Sequence, residues 1–450
     1  MKRVNLTVCS IAVVVLIGCV SVSPSPTTPA PTPLAAGETP AAPPRPTHPS
    51  TAAPARTTTV PPTAMAAIVT ATATAAPALL EIRAGIYAAD HAFDLSLPAS
   101  GYDLYVIGEV PHAAREVRLL AIEYLKILHG AIGLRDLVLE VPQAYERSVG
   151  AFVLGRSDTL PGRAYYWGDL LLDVRALNES LPEEEKIRLH LTDVDFSLQE
   201  IHTHLQAIQD ELGAVGQAVE LPPLKEFESW GQEEVVALAD QLSPAVENHE
   251  ALRNELTTVK RSIRFFFAGR AEEGGGSAGQ MTVKIREGTI EQNMTYLLGE
   301  LGGAPVLALY GGWHTQRRQA QSFAAAERPW VQRLVESGTA VYSLLVVAMQ
   351  GRVGKSDGST SAVYTGHGQI LFSDGTTLGP VLRAAFGYNM VFIDLAVGDH
   401  AAAQLGELGA TEVPAAGGYY GSDYQGAPAG EVCDGIILLQ KVTPVPGITP

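Results

Sequence analysis

The sequence predicts an α/β fold: a central, mostly parallel sheet flanked by helices, with one helical insertion. Three observations carry this. Seven short apolar runs follow residue 81, each the length of a buried strand rather than of a helix. An amphipathic helix separates the first two, and strand–helix–strand at that spacing demands parallel pairing. Residues 197–270 contain no strand-like run and alternate apolar and charged residues at helical spacing.

The amino terminus precedes that fold. Lys2 and Arg3 form a basic start, and the apolar run Ile11–Ile17 is too short to span a bilayer. Leu16-Ile17-Gly18-Cys19 then resembles a bacterial lipobox, so residues 1–18 read as a lipoprotein signal peptide and Cys19 as the lipidated first residue. That makes the membrane a partner through the lipid and the location extracytoplasmic. Residues 19–80 form a tether of Pro, Thr, Ala and Ser. Of the chain's 30 prolines, 14 fall between Pro24 and Pro77, and such a segment buries too little surface to fold. Extended, it would reach about 190 Å at ~3.1 Å per residue.

The folded domain is expected over residues 81–441, with 442–450 as a disordered tail. Its strands are Tyr102–Ile107, Leu137–Val141, Ile187–Leu191, Pro305–Tyr310, Ala340–Ala348, Met390–Leu395 and Gly435–Leu439. Between the first two, Val117, Leu120, Tyr124 and Leu128 share one face of a helix over Ala113–Leu128, with Gly130 as its stop. The insertion covers about 197–280 and ends in a flexible loop, Glu272–Gln280. No internal repeat is present.

Composition excludes several functions. The chain carries 31 Lys and Arg against 48 Asp and Glu, a net charge of −17. An acidic surface repels phosphate backbones, so nucleic acid is not expected as a partner. Hydrophobic residues at 46% exclude global disorder. Once Cys9 leaves with the leader and Cys19 is acylated, only Cys433 remains. Neither an intrachain disulfide nor a multi-thiolate metal site is then available.

The chemistry is expected beyond the carboxyl ends of the parallel strands. The first strand runs into Gly108-Glu109-Val110-Pro111-His112, and the second ends at Glu140. The third ends Thr192-Asp193-Val194-Asp195, and the fourth continues Gly311-Gly312-Trp313-His314. Imidazoles and carboxylates gathered at one rim suit proton transfer or metal binding. Asp193 and Asp195 double as candidates for capping the helices that follow. His202 and His204, two apart, diverge on a helix and read as surface residues. His129 reads as the end of a helix and His367 as a loop residue. Glu183–Glu185 sit where a helix start favours negative charge. No Gly-x-Ser-x-Gly nucleophile elbow is present.

These blocks resemble the superfamily of erythromycin esterase-like, ChaN-like and Tiki/TraB-like proteins. Gly108-Glu109-x-x-His112 is similar to its Gly-Glu-x-x-His signature, and Glu140 to the glutamate that ends its second strand. Leu177-Asn178 before Leu191-Thr192-Asp193 resembles the esterase stretch in which an Asn precedes a strand ending in Asp. Arg286-Glu287-x-x-Ile290-x-x-Asn293 resembles an esterase helix start, and Gly311-x-x-His314 the late histidine block. Together they span roughly residues 100–345. Where the esterases carry Thr-His-Gly, this chain has Pro111-His112-Ala113, and its single late histidine is closer to the Tiki/TraB type. The resemblance implies a hydrolase acting on a small-molecule or peptide ligand. His112 would be the general base, Glu109 and Glu140 would orient or balance it, and Arg286 and His314 would stabilise an oxyanion. A variant is a divalent metal held by His112, Glu140 and His314. The alternative is a haem-binding or other ligand-binding lipoprotein of the ChaN type, with Tyr165-Tyr166-Trp167 as aromatic candidates.

Overall fold

The computed structural model describes residues 80–445, apart from residues 111, 215, 217–219, 273–277, 319–326, 355–359, 364–383, 386 and 398–427. The leader, Cys19, the tether, His367 and the centre of the predicted Glu272–Gln280 loop lie outside the described residues.

The sheet has nine strands: β1 (Leu80–Arg83), β2 (Ile86–Ala89), β3 (Leu104–Val110), β4 (Asp136–Pro142), β5 (Arg188–Asp193), β6 (Val306–Gly311), β7 (Val341–Ala348), and then Met390–Asp394 and Gly435–Leu439. The order is β1, β2, Met390–Asp394, Gly435–Leu439, β7, β3, β6, β4, β5. From Gly435–Leu439 to β5 every pairing is parallel. Met390–Asp394 and the β1–β2 hairpin close the other edge in antiparallel fashion. A separate two-stranded ribbon pairs Gly351–Gly354 with Thr360–Val363.

Alternation along β3 sorts its side chains between two cores. Tyr105 and Ile107 pack with Val117, Leu120 and Tyr124 of α1 (Arg115–Ile132) and with Phe152 of α2 (Glu146–Val153) and Val174 of α3 (Gly168–Glu179). Leu104 and Val106 face Ile290 and Met294 of α8 (Ala278–Glu300) and Trp330 of α9 (Trp330–Glu336). The insertion forms a core of its own from α4 (Leu198–Ala214), α5 (Leu224–Phe227), α6 (Gln232–Val246) and α7 (Glu250–Glu272). Among the described residues no helix is long and apolar enough to cross a membrane.

Three expectations need correction. Helix α1 passes through Gly130 and stops at Gly133, whose φ of 66° is the left-handed cap. Leu134 beyond it is buried with Leu128, and that contact sets the stop three residues later. Glu272 closes α7 rather than opening a loop, and helix resumes at Ala278, so helical structure reaches Glu300. Residues 442–445 are not a free tail: Val442 is buried, bridges to Gly351, and Pro444 bridges to Ala114. Among the described residues Cys433 is a buried free thiol, and burial pushes its pKa up.

Candidate active site

Strands β3, β6, β4 and β5 lie side by side and all run the same way. Their carboxyl ends therefore share one rim, with ~4.8 Å between neighbours. The sequence puts Glu109, Gly311, Glu140 and Asp193 at or near those ends, and Glu109 stands in register with Gly311. Gly311 is needed for the approach of its neighbours. A Cβ there would lie 2.7 Å from His112 Cε1, 2.8 Å from His112 Nε2 and 3.4 Å from Glu140 Oε2. The missing side chain lets the imidazole and the carboxylate close over the strand end.

His112 follows β3 directly. Its Nδ1 lies 2.7 Å from Glu109 Oε1. A carboxylate only accepts, so Nδ1 donates and the neutral ring carries its lone pair on Nε2. The His112 side chain is 38% exposed. Burial alone would lower its pKa, but Glu140 nearby and the bond to Glu109 outweigh it, and the pKa is raised above 6.5. Ala113, next in sequence, has φ of 63°, the only positive φ among the described non-glycine residues.

Arg286 lies within α8 rather than at its start, and from there it binds three strand ends. Its Nε donates to Asp193 Oδ1 at 2.9 Å and its Nη2 to Asp193 Oδ2 at 2.6 Å, a bidentate pair. Nη2 also donates to Glu140 Oε1, and Nη1 lies 3.2 Å from His314 Nε2. Burial opposes the charge on Arg286, but Asp193 and Glu140 hold its pKa well above the ordinary value. Glu140 receives the Gly311 N–H on its other oxygen at 2.6 Å. Burial raises the Glu140 pKa, while Arg286, His112 and His314 pull it further the other way, to about 2.

His314 is held on both sides. Nδ1 lies 2.6 Å from Glu287 Oε1, whose second oxygen accepts the Trp330 N–H at 2.8 Å. Arginine only donates, so Nε2 of His314 accepts from Arg286 and Nδ1 carries the ring proton. Asn293, one helical face along from Arg286 and Glu287, donates to the Thr192 carbonyl at 3.0 Å and ties α8 to the end of β5.

The five expected residues thus converge around Glu140, but not in the roles expected of all of them. Arg286 spends most of its donors on carboxylates. The metal set His112, Glu140 and His314 does not fit: both Glu140 oxygens and both His314 nitrogens are engaged, with a resident guanidinium among them. Among the described residues no cluster of His, Cys, Asp and Glu has a metal-holding arrangement. Tyr166 and Trp167 face the buried guanidinium of Arg118, and the Tyr165 side chain lies outside the described residues. His204 is not a surface residue: it is buried, with Nδ1 2.9 Å from Asp195 Oδ2. Asp195 in turn accepts the Ala144 N–H rather than capping α4. Asn178 is structural, bonding the Ile187 N–H and two carbonyls.

Sequence reasoning left Asp193 outside the site and gave Glu287 no role. Asp193 ended a strand at the right rim, and Glu287 stood beside Arg286, but only folding shows which cation and which imidazole they meet. An open hollow of about 560 Å³ on the insertion, lined in part by Pro222 and Trp230, shares no residue with the site.

No protein-family model and no functionally described protein matches the sequence. Three solved structures share its fold. A protein from Bacillus cereus aligns at 16% identity with a TM-score of 0.55, over 81% of this chain and 97% of the other. A succinoglycan biosynthesis protein aligns at 11% identity and TM-score 0.53, over 80% and 95%. A mutant of the erythromycin esterase EreC, in its open conformation, aligns at 13% and 0.53, over 76% and 92%. The chain therefore has the erythromycin esterase-like fold; identities this low carry the fold and leave the chemistry to be argued from the site.

Proposed function

We propose that the protein is a hydrolase in which His112 is the general base that activates water. The observation that supports this best is the asymmetry of its ring: Nδ1 is committed to Glu109, and Nε2 faces the cleft beside Glu140. Glu109 fixes the tautomer and stabilises the imidazolium formed when Nε2 takes a proton from water. Glu140, ionised and fixed by Gly311 and Arg286, balances that charge a second time. One N–H of Arg286 Nη1 remains without a partner among the described contacts and is its donor for a developing oxyanion. The ligand class is a small molecule or peptide with a bond open to water attack. A panel of carboxylic, lactone and thioester substrates tests the reading: hydrolysis lost in His112→Ala supports it, and no hydrolysis by the wild-type chain refutes it.

The location is part of the same proposal. The ordered basic start, apolar run and Cys19 support acylation, which would anchor the chain to the membrane on the extracytoplasmic side through the tether. Cys19→Ser is expected to move the protein from the membrane to the soluble fraction. A wild-type chain already soluble, with an amino terminus other than Cys19, contradicts the anchor.

A further inference from the structure

Arg118, in the first turn of α1, is buried beside Glu109. Its side chain is only 1% exposed, and none of its guanidinium nitrogens has a hydrogen-bond partner. The guanidinium lies 3.3 Å from the centroid of the Trp167 ring and 5.8 Å from that of Tyr166. Its Nη2 is 3.7 Å from Glu109 Oε1, the same oxygen that faces His112 Nδ1. Glu109 Oε2 and Asp169 Oδ1, in the first turn of α3, are also buried without partners.

A cation this buried is costly unless paired, and a residue chosen for packing alone would be apolar. The indole face offsets part of the desolvation, and only a planar cation presents a face to it. Two opposite charges lie near it, Asp169 and Glu109, and of these Glu109 is the one that also faces His112. We propose that Arg118 is a positioning residue for the His112–Glu109 pair: it holds the Glu109 carboxylate turned toward Nδ1, so that the lone pair stays on Nε2. Trp167 holds Arg118 in turn, which makes the start of α3 part of the support of the site. The charged groups around the pair are Glu140 from β4, Arg118 from α1 and, behind Arg118, Asp169 from α3. Arg286 is positive too but is bonded to Glu140 and Asp193; Arg118 is the cation that acts on His112 against the extra proton. The catalytic consequence rests on the function proposed above, but the electrostatic one does not.

The test is an NMR titration of the His112 imidazole in the full chain, assigned by comparison with His112→Gln. In Arg118→Met the pair is expected to hold its proton to higher pH, by about one unit or tenfold in proton affinity. Any hydrolytic pH profile should move with it. Arg118→Lys keeps the charge, loses the stacked plane, and is expected to shift the titration by less. An unchanged titration in a folded Arg118→Met chain overturns the proposal. If that variant does not fold, an unchanged titration in a folded Arg118→Gln chain, which also lacks the charge, does so. A shifted titration in a protein that hydrolyses nothing upholds the Arg118 role and refutes the hydrolase.

Discussion

His112 and His314 stand at the same rim, each with a glutamate on Nδ1, yet they are prepared for different work. The Glu109 bond leaves His112 one nitrogen open to the cleft. At His314 the Glu287 bond is matched by Arg286 on Nε2, and the ring is closed. A carboxylate behind an imidazole therefore does not by itself make a base; the unengaged second nitrogen does. His204 sharpens the point from outside the site. It too has a carboxylate on Nδ1, but its Nε2 is sealed in the interior and meets no solvent. His112 differs in being 38% exposed, and its ring lies over Gly311, where a side chain would collide with it.

The largest effect should follow from removing the cation that closes the His314 ring. Arg286→Met leaves Glu140 and Asp193 buried without their partner and is expected to cost about 3–5 kcal/mol, read as a fall in the denaturant midpoint. If stability barely changes, the guanidinium is not the hub of the rim. Next comes Gly311→Ala, whose Cβ would overlap the His112 ring. The chain should fold, and kcat/KM should drop about 100-fold because the base is displaced. Unchanged activity would mean that the ring position does not matter.

Titration separates the regions in another way. His190, away from the cleft, is held by Asp136 on Nε2 at 2.8 Å and by Glu146 on Nδ1 at 3.3 Å. Burial lowers its pKa, but the bonds to Asp136 and Glu146 raise it further, to about 9. A raised histidine stabilises the fold fully below its unfolded value near 6.5 and loses that contribution as pH rises through about 9. Wild type should thus lose stability across that window, by at most about 3 kcal/mol from this group, and His190→Gln should lose less over the same range. Equal pH dependence in the two chains would remove His190 from the account. The smallest effect belongs to Ala113. Its left-handed φ strains any residue with a Cβ, so Ala113→Gly should stabilise the fold by up to about 1 kcal/mol. A destabilised Ala113→Gly chain would show that the turn after His112 is not strained.

Seven strands were legible because buried strands, parallel or not, read as uninterrupted apolar runs. The β1–β2 hairpin was not, since β1 is a largely exposed edge strand and carries little apolar signal. The rim itself was legible: Glu109, His112, Glu140 and His314 each follow or end a strand, and parallel pairing brings strand ends together. What sequence does not encode locally is partner choice. Arg286 was expected to face an oxyanion alone, and its strongest bonds go first to Asp193 and Glu140, which lie 93 and 146 residues away, partners that no local pattern names. The spacing of His202 and His204 implied exposure because a lone helix has one wet face. Here α4 packs against the Gln143–Tyr145 turn as well as α7, and His204 is buried between Asp195 and Glu255.

The central claim, that His112 acts and His314 supports, is tested most directly by comparing His112→Ala with His314→Ala on one hydrolysed substrate, with and without added imidazole. His112→Ala should lose about 10²–10⁴-fold in rate and recover part of it with imidazole, which can occupy the vacated cleft. His314→Ala should lose less and gain nothing from imidazole. Rescue of His314→Ala by imidazole, together with full activity of His112→Ala, would contradict the claim.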